Sequence, residues 1–219
     1  EQIKIANKLD TTQKIIDLRK KQIEELDRLI KSEFINMFGN VKENDKKWRY
    51  TTLGNECILN PNKSEIQNLP VDTDVIKKYG NVKKGFTYFK ENDVLFAKIT
   101  PCMENGKGAV AKGLKNGLGF GSTEFHVLRP KEKINSTWLY TLTSIKDFRI
   151  EAEKKMTGSA GQKRVPISFL ANYKLGIPPI ELQNKFANIV KDIKGQKSKV
   201  EKSLFEMEKL QESLMDKYF

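Results

Sequence analysis

The sequence predicts an α+β protein: a globular, mainly β domain attached to a long antiparallel two-helix coiled coil formed by the N- and C-terminal segments. Three observations predict it. The first and last 38 residues repeat each other, each copy carries an apolar residue at every seventh position, and the stretch between them changes to short β-branched runs separated by Gly, Asn and Lys turns. The organisation expected is a helix over 1–40, a globular domain over 41–179 and a second helix over 180–219.

The repeat is read by sliding the chain 181 positions along itself. Gln2, Lys4, Ala6, Asn7, Lys21, Glu25, Leu29, Ser32 and Phe38 then meet Gln183, Lys185, Ala187, Asn188, Lys202, Glu206, Leu210, Ser213 and Phe219. Leu9, Ile16, Ile23, Ile30 and Met37 make the apolar column of the first copy, and Phe186, Ile193, Val200, Met207 and Leu214 that of the second. Such a column is the seam of a coiled coil. Pro178 and Pro179 precede the second helix, Gly39 follows the first, and Gly195 is a weak point costing up to about 1 kcal/mol relative to alanine. At ~1.5 Å per residue each copy spans roughly 57 Å. Because one globular domain separates the copies, the expected closure is antiparallel, with the domain at one end of the rod. The first copy starts at Glu1 inside its helix, whereas the second has the lead-in LGIPPIE, so a longer protein with something globular before Glu1 is expected.

Between the helices, YTTLG, GFTYF, DVLFAKI, GKGAVAK and TEFHVLRP read as strands. One amphipathic helix interrupts them, with Trp138, Leu142, Ile145, Phe148 or Arg149, and Ala152 at helical spacing after the capping candidates Asn135 and Ser136. Basic and small residues collect in loops: Lys83, Lys84 and Gly85; Asn105, Gly106, Lys107 and Gly108; and TGSAGQKR from Thr157 to Arg164.

Charge follows the same division. Of 40 basic and 28 acidic residues, each 40-residue end holds 8 and 7, leaving 24 and 14 in residues 41–179, so +10 of the net +12 lies there. An excess confined to one segment points to a polyanion, nucleic acid before membrane, since no basic helix with bulky apolar anchors accompanies it.

Catalytic chemistries find few residues. His126 is the single histidine, placed in a strand-like run, and Cys57 and Cys102 are the only thiols, which excludes a four-ligand zinc site from this chain alone and leaves a reducing cytoplasm as the expectation. Glu104 and Lys107 imitate an acid/base pair, but a metal nuclease needs more converging carboxylates, and Asp93 and Glu124 are the candidates nearby. GLGFGS precedes a strand instead of joining strand to helix, no GK[ST] follows it, and NPNK at Asn60–Lys63 lacks the second proline and the aromatic residue of an amino-methyltransferase clamp.

The stretches NDVLFAKITPCMENGKGAV, GFGSTEFHVLRP, TGSAGQKRVP and LGIPPIELQNKFANIV, with EQIKIANKLD and its ending in MFGN, occur in an order that resembles the specificity subunit of type I restriction-modification enzymes. The match covers the whole chain, read as central conserved helix, second target recognition domain and C-terminal conserved helix. Only one recognition domain is present, and Leu182 separates Glu181 from Gln183 where Glu1 and Gln2 are adjacent.

The resemblance implies a non-catalytic subunit that reads one half of a bipartite duplex DNA target, with the paired helices as a ruler. Modification (methyltransferase) subunits would dock on those helices and the restriction subunit would join indirectly. The second recognition domain would lie in cis or come from a second copy by dimerisation. S-adenosylmethionine, ATP and magnesium would belong to partner subunits, with no membrane involved. By matching position, Lys84, Lys98, Asn105, Lys107, Ser122, Thr123, Ser159, Gln162, Lys163 and Arg164 are the candidate DNA-binding residues; Lys107 and Ser159 to Arg164 are expected to serve phosphates, while Tyr79, Tyr88 and Lys84 are offered as base readers. TEFHVLRP and PCMENGKGAV also admit a scaffold role. Two alternatives stay open here: a half-subunit or non-catalytic coiled-coil scaffold that homodimerises, and the specificity portion of a fused methyltransferase-nuclease.

Overall fold

The computed structural model describes residues 2–62, 85–159 and 161–218. Residues up to Glu33 and from Asn188 onward form one compact unit, and Phe34–Ala187 form the other.

The first unit is built from the long helices α1 (Gln2–Phe38) and α6 (Ile180–Tyr218). They run antiparallel: Gln13 meets Gln211 at 2.8 Å, Lys20 meets Glu208 at 3.1 Å and Asp27 meets Lys197 at 2.7 Å, one number rising as the other falls. The expected columns are the shielded ones, with Ile16 at 1%, Ile193 at 5% and Val200 at 8% exposure, and Leu9, Ile23, Ile30, Met207 and Leu214 half-buried. A second column escaped the sequence reading. Ile5, Thr12, Arg19 and Leu26 of α1, and Val190, Lys197, Leu204 and Gln211 of α6, are shielded as well. Under the repeat, the apolar column of each helix corresponds to the mixed column of the other. The mixed columns hide from a search for apolar periodicity because Arg19 and Lys197 bury their stems while their polar ends reach Gln22 and Asp27.

The second unit holds eight described strands: β1 (Arg49–Thr52), β2 (Cys57–Leu59), β3 (Thr87–Lys90), β4 (Val94–Ala97), β5 (Gly108–Val110), β6 (Leu118–Gly121), β7 (Phe125–Pro130) and β8 (Lys174–Ile177). They pair in three antiparallel sheets, one of four strands in the order β2-β7-β4-β5 and two of two strands, β1-β8 and β3-β6. In the larger sheet Val94 faces Leu128 and Phe96 faces His126, so Val94, Phe96, Val127 and Leu128 are fully buried. Short helices α2 (Leu53–Glu56), α3 (Ser136–Ser144), α4 (Lys146–Lys154) and α5 (Ile167–Asn172) complete the unit.

The single amphipathic helix expected after Asn135 is two. Its cap is as read, since the Asn135 side chain accepts from the amides of Thr137 and Trp138. The chain then turns extended at Ile145, where φ is −71° and ψ 149°. The cause is local: Thr143 and Ser144 hydroxyls both donate back to the Tyr140 carbonyl, and the Thr143 carbonyl accepts from the Arg149 side chain. Trp138, Leu142, Phe148 and Ala152 nevertheless form one buried face.

The core is anchored by rings from helix ends. Phe34 and Phe38 of α1, Phe186 of α6 and Trp138 of α3 stack with centroids 5.0–6.1 Å apart and are fully buried. Gln183, also fully buried, accepts from the Asn135 amide at 2.9 Å and donates to the carbonyls of Lys133 at 3.0 Å and Pro178 at 2.8 Å, satisfying its side chain.

Candidate nucleic-acid interface

The stretch ITPCMENGKGAV makes the turn of the β4–β5 hairpin and runs on into β5. Its amides are engaged inside the turn: Met103 donates to Ile99 at 2.9 Å, Asn105 to Pro101 at 3.0 Å and Lys107 to Cys102 at 3.0 Å. Its exposed side chains include Asn105 and Lys107 at the tip.

Arg149 holds the loop from below. Only 5% exposed, it donates to the carbonyls of Thr143, of Met103 at 3.0 Å and of Lys107 at 3.4 Å, with its guanidinium 4.5 Å from the Phe96 ring centre. Desolvation pushes its pKa down to about 10, so it stays charged at neutral pH. Sequence reading had Arg149 as an alternative to Phe148 on the apolar face; a cation satisfied by carbonyls leaves no signal in apolar spacing.

Three segments converge beyond β4 and β7. The Lys98 amide donates to the Glu124 carbonyl at 3.0 Å, the Val165 amide to the Lys98 carbonyl at 2.9 Å and the Thr100 amide to the Lys163 carbonyl at 3.1 Å. Arg164 exchanges two backbone hydrogen bonds with Thr157. Its side chain donates twice to Glu124, both at 2.9 Å, and once to the Gln162 carbonyl at 3.1 Å. The Arg164 hydrogen bond, ahead of its charge, holds the Glu124 carboxyl below the usual carboxylate range. The structure thus brings Lys98, Ser122, Thr123, Ser159, Gln162, Lys163 and Arg164 together, with Ser122, Thr123, Ser159, Gln162 and Lys163 exposed. Asn105 and Lys107 lie on the hairpin tip, with no hydrogen bond to this cluster among the described residues. Lys107 and Lys163 have no ion pair among the described residues.

Other assignments change. Tyr88, offered as a base reader, is 2% exposed and packs 5.8 Å from the Phe120 ring, out of a ligand's reach. Tyr79 and Lys84 lie outside the described residues. Asp93 and Glu124, considered as metal ligands, are each bidentate to an arginine, Asp93 to Arg129 at 2.9 Å and Glu124 to Arg164. No group of three potential ligand residues occurs among the described residues.

His126 has a structural position. It is 5% exposed, its Nε2 pairs with the Val165 carbonyl at 2.8 Å and its Nδ1 with the Asn60 side-chain amide at 3.2 Å, which sets the neutral Nε2–H tautomer. Burial is the main cause that lowers its pKa. Cys57 is buried, with its thiol pushed up to about 12 by desolvation, and is therefore inert.

A second surface lies on the helical unit. Among the residues identical between the repeats, Lys21, Glu25, Leu29 and Ser32 are all exposed, and so are Lys202, Glu206, Leu210 and Ser213. Spacings of four, four and three keep each set on one helix face. Identity has been kept on the outer face while apolar and mixed columns trade places at the seam. Leu29 and Leu210, at 42% and 46% exposure, put the same apolar contact on both stripes.

Loops bearing cations without ion pairs among the described residues, on a small β unit, occur in one chain with two helices that repeat a single outer face. A family model for the type I restriction modification DNA specificity domain matches residues 35–206. The chain belongs to that family. It is 41% identical over 155 residues to the type I restriction enzyme EcoAI specificity subunit of Escherichia coli, and 40% identical over 149 residues to the EcoEI specificity subunit of the same organism. These alignments cover 63% and 60% of this chain but 26% and 25% of the relatives, so the match spans about a quarter of their length. Solved structures share the fold. The HsdS subunit from Thermoanaerobacter tengcongensis aligns with a TM-score of 0.55 at 17% identity, over 98% of this chain and 56% of that one. The S subunit from M. genitalium aligns at 0.59 and 16%, over 100% and 60%. No described helix is long and apolar enough to cross a membrane.

Proposed function

We propose that this chain reads one half of a bipartite duplex DNA sequence and carries no catalytic site of its own, the methylation chemistry residing in cytoplasmic modification subunits that dock on its helices. The observation that carries this reading is the convergence of the 98–100, 122–124 and 157–165 segments into one cation-bearing surface, in the stretch that holds most of the net charge. Lys107 and Lys163 would contact phosphates, Asn105, Ser122, Thr123, Ser159 and Gln162 phosphates or base edges, and Lys98 would support the loops. S-adenosylmethionine, ATP and magnesium would be bound by the partners, with the restriction subunit recruited through them. The second half-site would be read by another recognition domain, in cis or from a second copy.

The repeated outer stripes support equivalent docking of modification subunits, because two surfaces of one chemistry fit two copies of one partner. Charging Leu29 or Leu210 should each weaken one docking event and leave the seam intact. The deciding experiment co-expresses the chain with its neighbouring methyltransferase, maps the methylated bases, and grafts the globular unit into another specificity subunit. One half-site should move with the graft. Unchanged methylation in the recipient rejects the reading.

A further inference from the structure

Resting on the assignment of the 122–124 and 157–164 loops to DNA, we infer that Glu124 is a positioning residue that aims Arg164 at an acceptor pair on the duplex. A guanidinium carries five N–H donors. Three are engaged: Nε and one hydrogen of Nη2 with the two Glu124 carboxylate oxygens, and one hydrogen of Nη1 with the Gln162 carbonyl. Among the described residues one donor on each terminal nitrogen has no partner, on a side chain 42% exposed. Two such donors suit a bidentate acceptor, either two phosphate oxygens or the O6 and N7 of a guanine.

Both partners are fixed to the scaffold. The Glu124 amide donates to the Ser122 hydroxyl at 3.1 Å and its carbonyl accepts from Lys98 at 3.0 Å. Arg164 is pinned to Thr157 by two backbone bonds of 2.8 and 3.0 Å. A half-exposed ion pair contributes little to folding. What this one does is hold a rotamer-rich side chain in one orientation before any ligand arrives.

The sign of the effect makes the inference testable. Counting charges alone, a carboxylate beside phosphates repels them, so its removal tightens binding. Positioning predicts the reverse while Arg164 is present. The full chain, assembled with its neighbouring methyltransferase, is titrated with a duplex carrying the mapped target at several salt concentrations, as wild type, Glu124→Ala, Arg164→Ala and the double variant. Glu124→Ala should weaken binding on the order of tenfold, although it removes a negative charge, and should have no effect or tighten binding when Arg164 is already alanine. Glu124→Gln, which keeps one acceptor oxygen, should recover part of the loss, and it serves if the alanine variant does not fold. Thermal melting runs beside each titration, because a purely structural role lowers melting and affinity alike in both backgrounds.

Tighter binding in both backgrounds, or equal weakening in both, overturns the inference. In the arm for Arg164→Ala, a salt slope lower by about one with base preference kept identifies phosphate, and a relaxed preference at one base pair identifies guanine. A wild-type complex that does not retain the duplex overturns the DNA reading itself, and the positioning role with it.

Discussion

At the scale of single residues, Lys163 on the 157–164 loop and His126 on β7 do different work. Lys163 is exposed and has no ion pair among the described residues, so its charge is available to a polyanion. Lys163→Ala should weaken binding to all duplexes alike and lower the dependence of log K on log salt by about one, measured by titration at stepped ionic strength. An unchanged slope removes it from the phosphate contacts. His126 is a pH gauge for the same loops, because its ring ties β7 to Val165. Burial depresses its folded pKa, while the unfolded chain protonates near 6.5. The unfolded state therefore binds more protons just below that value, and the contribution is complete above pH 6.5 and lost as pH falls through the folded pKa. Denaturant titrations between pH 7.5 and pH 5 should show falling stability, with a flatter slope in His126→Gln.

At the scale of elements, legibility follows the length of the periodic signal. The two long helices each carry five seam positions at seven-residue spacing, which is why their apolar columns could be read from residues alone. β2, β6 and β8 are three or four residues long, and LGFG and KLGI carry glycines that weaken a strand pattern, so none of the three was among the strands read from the sequence. The break at Ile145 depended on hydroxyls bonding back to Tyr140, which apolar spacing does not record. The Glu124–Arg164 pair joins residues 40 positions apart in sequence, and only the fold brings them together. Two element-scale outcomes are expected. Gly195→Ala should stabilise α6 by about 0.5–1 kcal/mol in chemical denaturation, since a Cβ there meets nothing within 4 Å. Ile16→Glu should cost about 3 kcal/mol or more, because it places a charge where only 1% of the side chain is exposed.

At the scale of the whole molecule, charge and repetition are divided between the two units: the globular one carries most of the net positive charge and the helical one carries the duplicated outer face. Under the ruler reading, inserting a whole number of heptads into both helices preserves the seam and should widen the spacer between methylated half-sites, read by mapping modified bases. An insertion of a few residues should instead abolish assembly by rotating the apolar columns out of register.

The aromatic cluster of Phe34, Phe38, Trp138 and Phe186 decides where such a protein can be cut and rejoined. A swap cassette spliced at 41 and 179 would leave behind three of those four rings and Gln183, and the transferred β unit would arrive with a hollow interior. Junctions after Glu33 and before Asn188 carry every ring across intact, so engineers exchanging target preferences between relatives should trade the last turn of the leading helix and the opening turns of the trailing one along with the head.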